Sequence, residues 1–274
     1  MSLSEADKAA VIALLRERCG VDFSDYRARL VGQALHAQFE RSGAPSATAW
    51  LVGLRAGGRA LHDLAATLSV RVTEFFRDPD VFADLESVAI PAVLNSITLG
   101  GTLRAWVIGT ATGEEAWSIA MVLEDACRPI AWEVLATDID ADALVVASHR
   151  LYSSIDGVPV RFREPFVDHG PAGEHKIGAV LASRVRFVRH QFMGPQLSPV
   201  EAIVPSFHLV SCRNVLLHFD SRLREMAWGR LAELVHPQGV LMTGTSESPV
   251  GGSIFRRLRG ARPGSPLWCP RGSA

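Results

Sequence analysis

A glycine-rich turn carrying two glutamates is the segment of this sequence whose residue types most directly suggest chemistry. Residues 109–115 read GTATGEE and follow a short apolar run at 103–108. A turn that joins a strand to a helix in a parallel sheet lies at the carboxyl ends of the strands, where ligands bind. The turn is neither G-x-G-x-x-G nor a P-loop, since no Lys-Ser/Thr pair follows it.

The side chains of Glu114 and Glu115 favour one class of ligand for this turn. Phosphate sites use backbone N–H groups and the positive end of a helix dipole, and two carboxylates there would repel a phosphate. S-adenosylmethionine fits better, because it carries a sulfonium and an ammonium group and no phosphate. The alternative is that the two glutamates only favour the amino terminus of the helix.

Acidic residues also follow the second apolar run, at 132–136, where Asp138 and Asp140 occur two residues apart. An acidic residue after the second strand of such a fold commonly accepts hydrogen bonds from ribose hydroxyls. Either carboxylate could instead cap the next helix. Together with the glycine turn, Asp138 predicts a ligand that contains adenosine.

Five short apolar runs alternate with helical stretches and must position these groups. The predicted strands are residues 103–108, 132–136, 185–188, 207–211 and 239–243. Strands that alternate with helices indicate βαβ units. We therefore predict an α/β fold with a doubly wound, mostly parallel sheet.

The remaining sequence predicts two further parts. Residues 1–80 show helical patterns and no strand pattern, with Ser4 and Asp7 forming a capping box and Ser24 capping a second helix. We interpret them as an N-terminal helical domain, followed by an α/β domain over 81–274. Residues 156–184 are rich in glycine and proline, with short apolar runs such as 160–162 between, and predict an inserted antiparallel subdomain.

Composition excludes several classes of function. The 274 residues hold 28 Lys+Arg and 29 Asp+Glu, a net charge of −1 that gives no reason to expect nucleic acid as a partner. The four cysteines show no C-x-x-C spacing, so no metal site is predicted. No signal pattern and no apolar run of about 20 residues is present, which predicts a cytoplasmic protein without membrane insertion.

Five segments resemble, in order, the signatures of the chemotaxis receptor methyltransferase (CheR) family. Residues 73–78 (TEFFRD) resemble its T-x-F-F-R-D/E, and 108–120 (IGTATGEEAWSIA) resemble its A-G-C-S-T-G-E-E-P-Y-S-I-A segment. Residues 136–140 (ATDID), 211–220 (SCRNVLLHFD) and 243–248 (TGTSES) are similar to its A-T-D-I-D, F-C-R-N-V-L-I-Y-F-D and G-H-S-E-S. The resemblance implies a helical domain joined to a domain that binds S-adenosylmethionine, and methylation of protein glutamates in a receptor's signalling bundle.

The resemblance also implies roles for individual residues around the turn at Gly109. Thr73 and Arg77 match family residues that reach over the cofactor. Glu115, with Glu114, would hold the cofactor's ammonium group. Asp138 would hold its ribose.

Later positions include departures from the family pattern. Cys212 and Arg213 match the segment that lines the cofactor and acceptor sites. The family's Asn-Leu pair, its usual adenine contact, falls on Gln191 and Phe192. The family tyrosine five residues after the Arg213 position, a proposed acceptor-site group, is His218 here.

The chemistry of the methyl acceptor leaves two principal functions open. A carboxylate is already ionised at pH 7 and needs no general base, and Arg77 and Arg213 could orient it through forked hydrogen bonds. This chemistry agrees with the protein-glutamate methyltransferase that the resemblance implies, which is the first of the two functions. A small-molecule acceptor, such as an amine or a hydroxyl, would need a base, for which His218 is a candidate. A third alternative is a binding module that senses the cofactor without catalysis.

The second predicted helix, over 24–41, bears on the partner. Receptor-binding family members tend to carry a row of arginines on this helix. Here Arg27 and Arg29 lie near its start and Arg41 at its end, with only His36 between them as a side chain of possible positive charge. A basic docking face for an acidic receptor is therefore weak or absent, which keeps a different protein acceptor or a small molecule open.

Overall fold

The computed structural model describes residues 3–19, 23, 28–56, 59–68, 73–98, 100–127, 129–170, 173–202, 204–249 and 254–272. The chain divides into two compact units. One comprises Met1–Arg71 with His218–Arg224, and the other comprises Val72–Leu217 with Glu225–Ala274. Within the described residues, no helix is both long and apolar enough to cross a membrane.

Among the described residues up to Leu68, the first unit has four helices that follow one another in sequence. They are α1 (Glu5–Cys19), α2 (Ala28–Ser42), α3 (Ala47–Arg55) and α4 (Arg59–Leu68). The predicted capping box is confirmed, since the Ser4 N–H donates to the Asp7 carboxylate at 3.0 Å and the Asp7 N–H donates to the Ser4 hydroxyl at 3.2 Å. Ser24 and Arg27 lie outside the described residues, as does the side chain of Arg29.

The second unit is built around a seven-stranded sheet. Its strands are β1 (Thr102–Ile108), β2 (Ala131–Asp138), β6 (Val185–Arg189), β7 (Phe207–Cys212), β8 (Val235–Thr243), β9 (Phe255–Arg257) and β10 (Leu267–Pro270). The order is β6-β2-β1-β7-β8-β10-β9, and the first five strands are parallel. The five predicted strands are confirmed. The antiparallel strands β9 and β10 were not predicted.

Helices connect the strands and cover the sheet. They are α5 (Pro79–Asp84), a π-helical turn (Leu85–Ala89), α6 (Ile90–Leu94), α7 (Glu114–Ala126), α8 (Ala141–His149), a 3₁₀ turn (Leu216–His218) and α11 (Ser221–Leu234). The chain runs outward from β1 through β2 to β6 and then returns to place β7 on the other side of β1. The carboxyl ends of β1 and β7 therefore meet at a topological switch point, where α/β sheets bind ligands.

Both faces of the sheet are packed, as its apolar central strands require. Leu103, Ala105 and Val107 of β1 belong to one core cluster with the buried face of α7. Trp106, which points to the opposite face, packs against the rings of His190, Phe192 and Phe207. Packing on both faces fixes the position of β1, and so also the start of the turn that follows it.

A small antiparallel sheet of order β3-β5-β4 lies between β2 and β6 in sequence. Its elements are β3 (Leu151–Tyr152), α9 (Val160–Phe166), β4 (Val167–His169), β5 (His175–Ile177) and α10 (Ala179–Ala182). The predicted inserted antiparallel subdomain is confirmed, and its short apolar run at residues 160–162 is helical. Pro159 stands at the N-cap of α9, and Phe162 and Phe166, four residues apart, are both buried.

Candidate active site

The glycine turn after β1 depends on two backbone conformations that disfavour other residues. Gly109 has a φ of +71° and Gly113 a φ of +97°. A Cβ at Gly109 would lie 2.6 Å from Cγ2 of Val215, and one at Gly113 would lie 2.7 Å from Cβ of Ala147. The turn therefore holds the start of α7 close to the segment after β7, which brings the predicted site residues of both segments together.

Asp138, at the end of β2, holds the glycine turn with its carboxylate. Its Oδ2 accepts from the Ala111 N–H at 2.8 Å, and its Oδ1 accepts from the Asp140 N–H at 3.0 Å. Burial raises the pKa of Asp138. Asp140, not Asp138, caps α8, through the N–H groups of Asp142 and Ala143. A carboxylate has about four acceptor positions, so Asp138 keeps capacity for hydroxyl donors of a ligand.

Glu114 lies in a small polar cluster at the first turn of α7. The Thr112 hydroxyl donates to its carboxylate at 2.7 Å, and the Thr73 side chain also bonds to it. Burial raises the pKa of Glu114. The Tyr152 hydroxyl donates to the Thr112 carbonyl at 2.7 Å, which anchors the turn to the antiparallel subdomain. The structure thus brings Thr73 to the predicted cofactor glutamate.

Arg213 joins three segments of the second unit through its buried guanidinium. Its side chain is 0% exposed. Nη1 donates to Oε2 of Glu115 at 2.8 Å, and Nη2 donates to Oδ2 of Asp78 at 2.7 Å and to the Arg77 carbonyl at 2.9 Å. Oε1 of Glu115 accepts from the Ser211 hydroxyl at 2.6 Å. Asp78 and Ser211 were not predicted as site residues, although both lie in motifs that matched the family.

The TEFFRD segment, residues 73–78, is held in an unusual conformation beside this network. Phe76 and Asp78 have positive φ values of 51° and 58°. The Phe76 N–H donates to the Ser118 hydroxyl of α7 at 2.9 Å, and its ring stacks on Phe162 of the inserted subdomain at 5.4 Å. Positive φ is uncommon outside glycine and is retained where the surroundings enforce it. Arg77, between these two residues, is half-buried.

Two further predicted residues lie after β6. Gln191 begins a turn in which its carbonyl accepts from the Gly194 N–H at 2.8 Å. Phe192 is buried edge-on against Trp106 at 6.4 Å between ring centroids. Arg230 of α11 stabilises the turn at 191–194 by donating to the carbonyls of Phe192 and Gly194, both at 2.6 Å. Their contact with adenine stays a prediction.

Cys212 and His218 flank the Arg213 network along the chain. Cys212 is wholly buried at the end of β7, and burial raises the pKa of its thiol well above the ordinary value. A buried thiol of this kind is chemically inert. His218 is half-buried and ends the 3₁₀ turn Leu216–His218. The roles predicted for both residues toward cofactor and acceptor stay predictions.

The donor set of this edge suits a cation better than a phosphate. Glu114, Glu115 and Asp138 place three carboxylates at one turn, and burial raises the pKa of Glu114 and Asp138. Desolvated carboxylates gain from an adjacent positive charge. Among the described atoms, the buried Oγ1 of Thr110 also lacks a hydrogen-bond partner within the same turn. The residues present therefore fit S-adenosylmethionine, whose ammonium and sulfonium groups are cationic.

Comparison with known proteins gives three informative similarities besides a family match. The family model described as CheR methyltransferase, SAM binding domain, matches residues 71–256. The chain is 30% identical over 247 residues to an uncharacterized 104.1 kDa protein of Rhodobacter capsulatus, covering 88% of this chain and 25% of that protein. It is 31% identical over 252 residues to a probable biofilm formation methyltransferase, WspC, of Pseudomonas putida, covering 91% of this chain and 57% of that protein.

A third relative is matched over most of both proteins. It is the chemotaxis protein methyltransferase of Salmonella typhimurium, 27% identical over 255 residues, covering 90% of this chain and 85% of that protein. The chain thus spans a quarter of the Rhodobacter protein and just over half of the Pseudomonas protein. The family model, which matches residues 71–256, includes all the segments that form the site described above.

Proposed function

The chain belongs to the CheR methyltransferase family, and on that premise we propose that it transfers a methyl group from S-adenosylmethionine to the side-chain carboxylate of glutamates in a signalling protein. The names of two relatives, a chemotaxis protein methyltransferase and a probable biofilm formation methyltransferase, support a signalling protein as acceptor. The proposed place of action is the cytoplasm.

Different residues at the switch point would bind different groups of the cofactor. Asp138 would accept from the ribose hydroxyls, and Glu115 with Glu114 would hold the ammonium group. Gly109 allows the backbone to turn directly after β1. Thr73, through Glu114, and the Arg77 carbonyl, through Arg213, would fix the TEFFRD segment beside the cofactor. When bound, the cofactor supplies an electrophilic methyl group on a sulfonium.

The observation that carries the proposal is the state of Arg213. Its guanidinium is wholly buried, yet among the described residues its Nε has no hydrogen-bond partner. A buried donor without a partner is costly, and a guanidinium binds carboxylates in preference to neutral groups. Because Nη1 and Nη2 already bond to Glu115 and Asp78, Nε is the position through which Arg213 would bind the acceptor carboxylate that glutamate methylation requires.

Methylation of a carboxylate makes modest demands on the protein. The acceptor is ionised at neutral pH, so no proton has to be removed. The chain has to align the acceptor oxygen and strip it of water. The arginines at 77 and 213 are the cations of this segment that could orient such an acceptor.

The test is transfer of a tritiated methyl group from S-adenosylmethionine to proteins of the host lysate, followed by base treatment. Only a carboxyl ester releases volatile methanol, so base-labile counts in the protein fraction are expected. Glu115→Gln should lower these counts, while Asp125→Asn, an exposed residue of the same helix, should leave them unchanged. Label that is resistant to base in every fraction would contradict glutamate methylation.

The second candidate function is methylation of a small molecule. The observation that favours it is His218, which stands where the family has a tyrosine and could act as a base. Base-stable label in the metabolite fraction, lost in His218→Asn, would establish this function in place of the first. A chain that binds the cofactor and shows no turnover with either fraction would instead be a sensing module.

A further inference from the structure

The last of the family-like segments, residues 243–248, has no part in the site as described so far. Glu247 is its charged member and is only 5% exposed, in the loop that follows β8. Burying a carboxylate is costly unless its oxygens are bonded. The partners of Glu247 therefore indicate what this residue does.

Within the part of the chain that the structure describes, the hydrogen bonds to the Glu247 carboxylate come from backbone N–H groups. Oε2 accepts from Asn214 at 2.8 Å and from Gly244 at 2.7 Å, and Oε1 accepts from Leu217 at 3.0 Å. Asn214 and Leu217 follow β7, whereas Gly244 follows β8. One carboxylate thus ties together the ends of two neighbouring parallel strands, directly after the register pair Cys212 and Thr243.

The geometry of the segment after β7 requires such support. Asn214 has a φ of 60°, so the backbone reverses its course directly after Arg213. Amides in such a reversal lie outside the sheet ladder and need other acceptors. Hydrogen bonds from N–H groups to a carboxylate are roughly twice as strong as neutral ones. A Cβ at Gly244 would lie 2.7 Å from Oε2 of Glu247, so this approach depends on glycine.

We propose that Glu247 is a positioning residue of the methyltransferase site. It fixes the backbone from Arg213 to Leu217, so that the Arg213 guanidinium meets Glu115 and Asp78 and the 3₁₀ turn leading to His218 begins at a defined place. The proposal rests on the proposed function, in which the segment from Arg213 to His218 contributes to the acceptor site.

Replacing Glu247 by glutamine separates this role from simple burial. Glutamine keeps one carbonyl oxygen, which can serve Asn214 and Gly244. Its NH₂ group then faces the Leu217 N–H, so that two donors oppose each other. The matched control is Glu124→Gln in α7, because Glu124 is also buried and accepts from the Trp132 indole, which a glutamine oxygen can replace.

The first measurement is amide hydrogen exchange by NMR in the chain without cofactor. In the native protein the Asn214, Leu217 and Gly244 amides should be protected, and in Glu247→Gln protection of Leu217 should fall by about tenfold, the effect of one lost hydrogen bond. Glu124→Gln should leave it unchanged. Unprotected Asn214 and Leu217 amides in the native protein would overturn the proposal even if the variant failed to fold.

The second measurement separates binding from turnover. Glu247→Gln should lower kcat of base-labile methyl transfer by about tenfold and leave the affinity for S-adenosylhomocysteine, measured by calorimetry, within about threefold of native. Native exchange protection in the variant, or a loss confined to cofactor affinity, would overturn the positioning role. Failure of the proposed function would be seen separately, as absence of base-labile transfer by the native chain, and hydrogen exchange would then decide on Glu247.

Discussion

Arg213 and Glu115 form a buried ion pair, with Nη1 and Oε2 2.8 Å apart. The arginine follows β7 and the glutamate lies in the first turn of α7, which follows β1. The pair therefore links the segments that follow the two strands of the switch point. Because Glu115 also accepts from Ser211, its two oxygens are each engaged within the protein. If Glu115 holds the ammonium group as proposed, that group would share Glu115 with Arg213, through the acceptor positions that remain on its oxygens.

Removing the charge of Arg213 should destabilise the protein strongly. Arg213→Met leaves Glu115 without its buried cation, and breaking a buried pair in this way costs roughly 3–5 kcal/mol. Urea denaturation is expected to show this loss in the free energy of unfolding. Arg222→Met, at an exposed position of α11, should stay within about 0.5 kcal/mol of native. A loss below about 1 kcal/mol for Arg213→Met would mean that the pair contributes little to the fold.

Asp138 should contribute to binding through the ribose hydroxyls. Asp138→Asn should weaken S-adenosylhomocysteine binding by about tenfold or more, while the exposed Asp142→Asn should not. Asparagine also loses one of the turn's hydrogen bonds, so the comparison is repeated with the 2′-deoxy analogue. If Asp138 holds that hydroxyl, the two changes together should cost less than the sum of their separate effects. Fully additive losses would remove Asp138 from the ribose site.

The contact between Gly157 and the TEFFRD segment should tolerate no side chain. A Cβ at Gly157 would overlap the Phe75 carbonyl oxygen, so Gly157→Ala must displace backbone and should cost roughly 1–3 kcal/mol. Gly229→Ala is the matched control. It lies inside α11 with nothing within 4 Å of the added Cβ, and should gain about 0.5–1 kcal/mol. Thermal unfolding of both variants tests this, and equal effects would contradict the close approach.

Much of the site was predictable because it follows strand ends. Gly109 directly follows the apolar run at 103–108, Asp138 comes two residues after the run at 132–136, and Arg213 comes two residues after the run at 207–211. The alternation of strands and helices predicts a parallel sheet, which brings these ends to one edge. For this reason Gly109 and Asp138 could be assigned to one site from the sequence, whereas Arg213 was added to it through the family resemblance.

The partners within that edge could not be predicted. Asp78 lies far in sequence from Arg213, and neither residue type nor spacing indicates that the two side chains meet. Glu247 is bonded by backbone amides, and such partners leave no trace in the side-chain pattern. The helix at residues 160–166 was missed for a related reason, since its burial against Phe76 depends on tertiary packing.

Buried His208 should make stability fall as the pH decreases. Its Nδ1 accepts from the Arg104 N–H at 3.1 Å, and burial, helped by the charge of Arg104 and by His236, lowers its pKa to about 4. In the unfolded chain His208 has its ordinary pKa near 6.5, so as the pH falls below 6.5 the unfolded state binds the proton before the folded state does. The stability that is fully present above pH 6.5 is therefore lost as the pH falls toward 4. The loss from pH 7 to pH 5 should be about 2 kcal/mol from this group.

His208→Asn retains an acceptor for the Arg104 N–H and cannot titrate. Urea denaturation at pH 7 and pH 5 should show a smaller loss of stability in this variant than in the native chain, by about that amount. His149→Asn, at an exposed position, should follow the native chain. If His208→Asn and the native chain lose stability equally, His208 is not the group responsible.

Substitution of His218 distinguishes the two candidate reactions. A carboxylate acceptor needs no base, so His218→Asn should lower kcat for base-labile transfer to lysate protein by less than about tenfold and leave the shape of its pH profile unchanged. A base that removes a proton contributes about 10²–10⁴-fold, and its loss would also remove an inflection from the pH profile. Affinity for S-adenosylhomocysteine should stay near native in either case, because His218 is assigned to the acceptor. A large loss of that affinity would place His218 at the cofactor instead. A loss above about a hundredfold in base-stable transfer to the metabolite fraction, with no base-labile transfer to protein, would favour the small-molecule reaction over glutamate methylation.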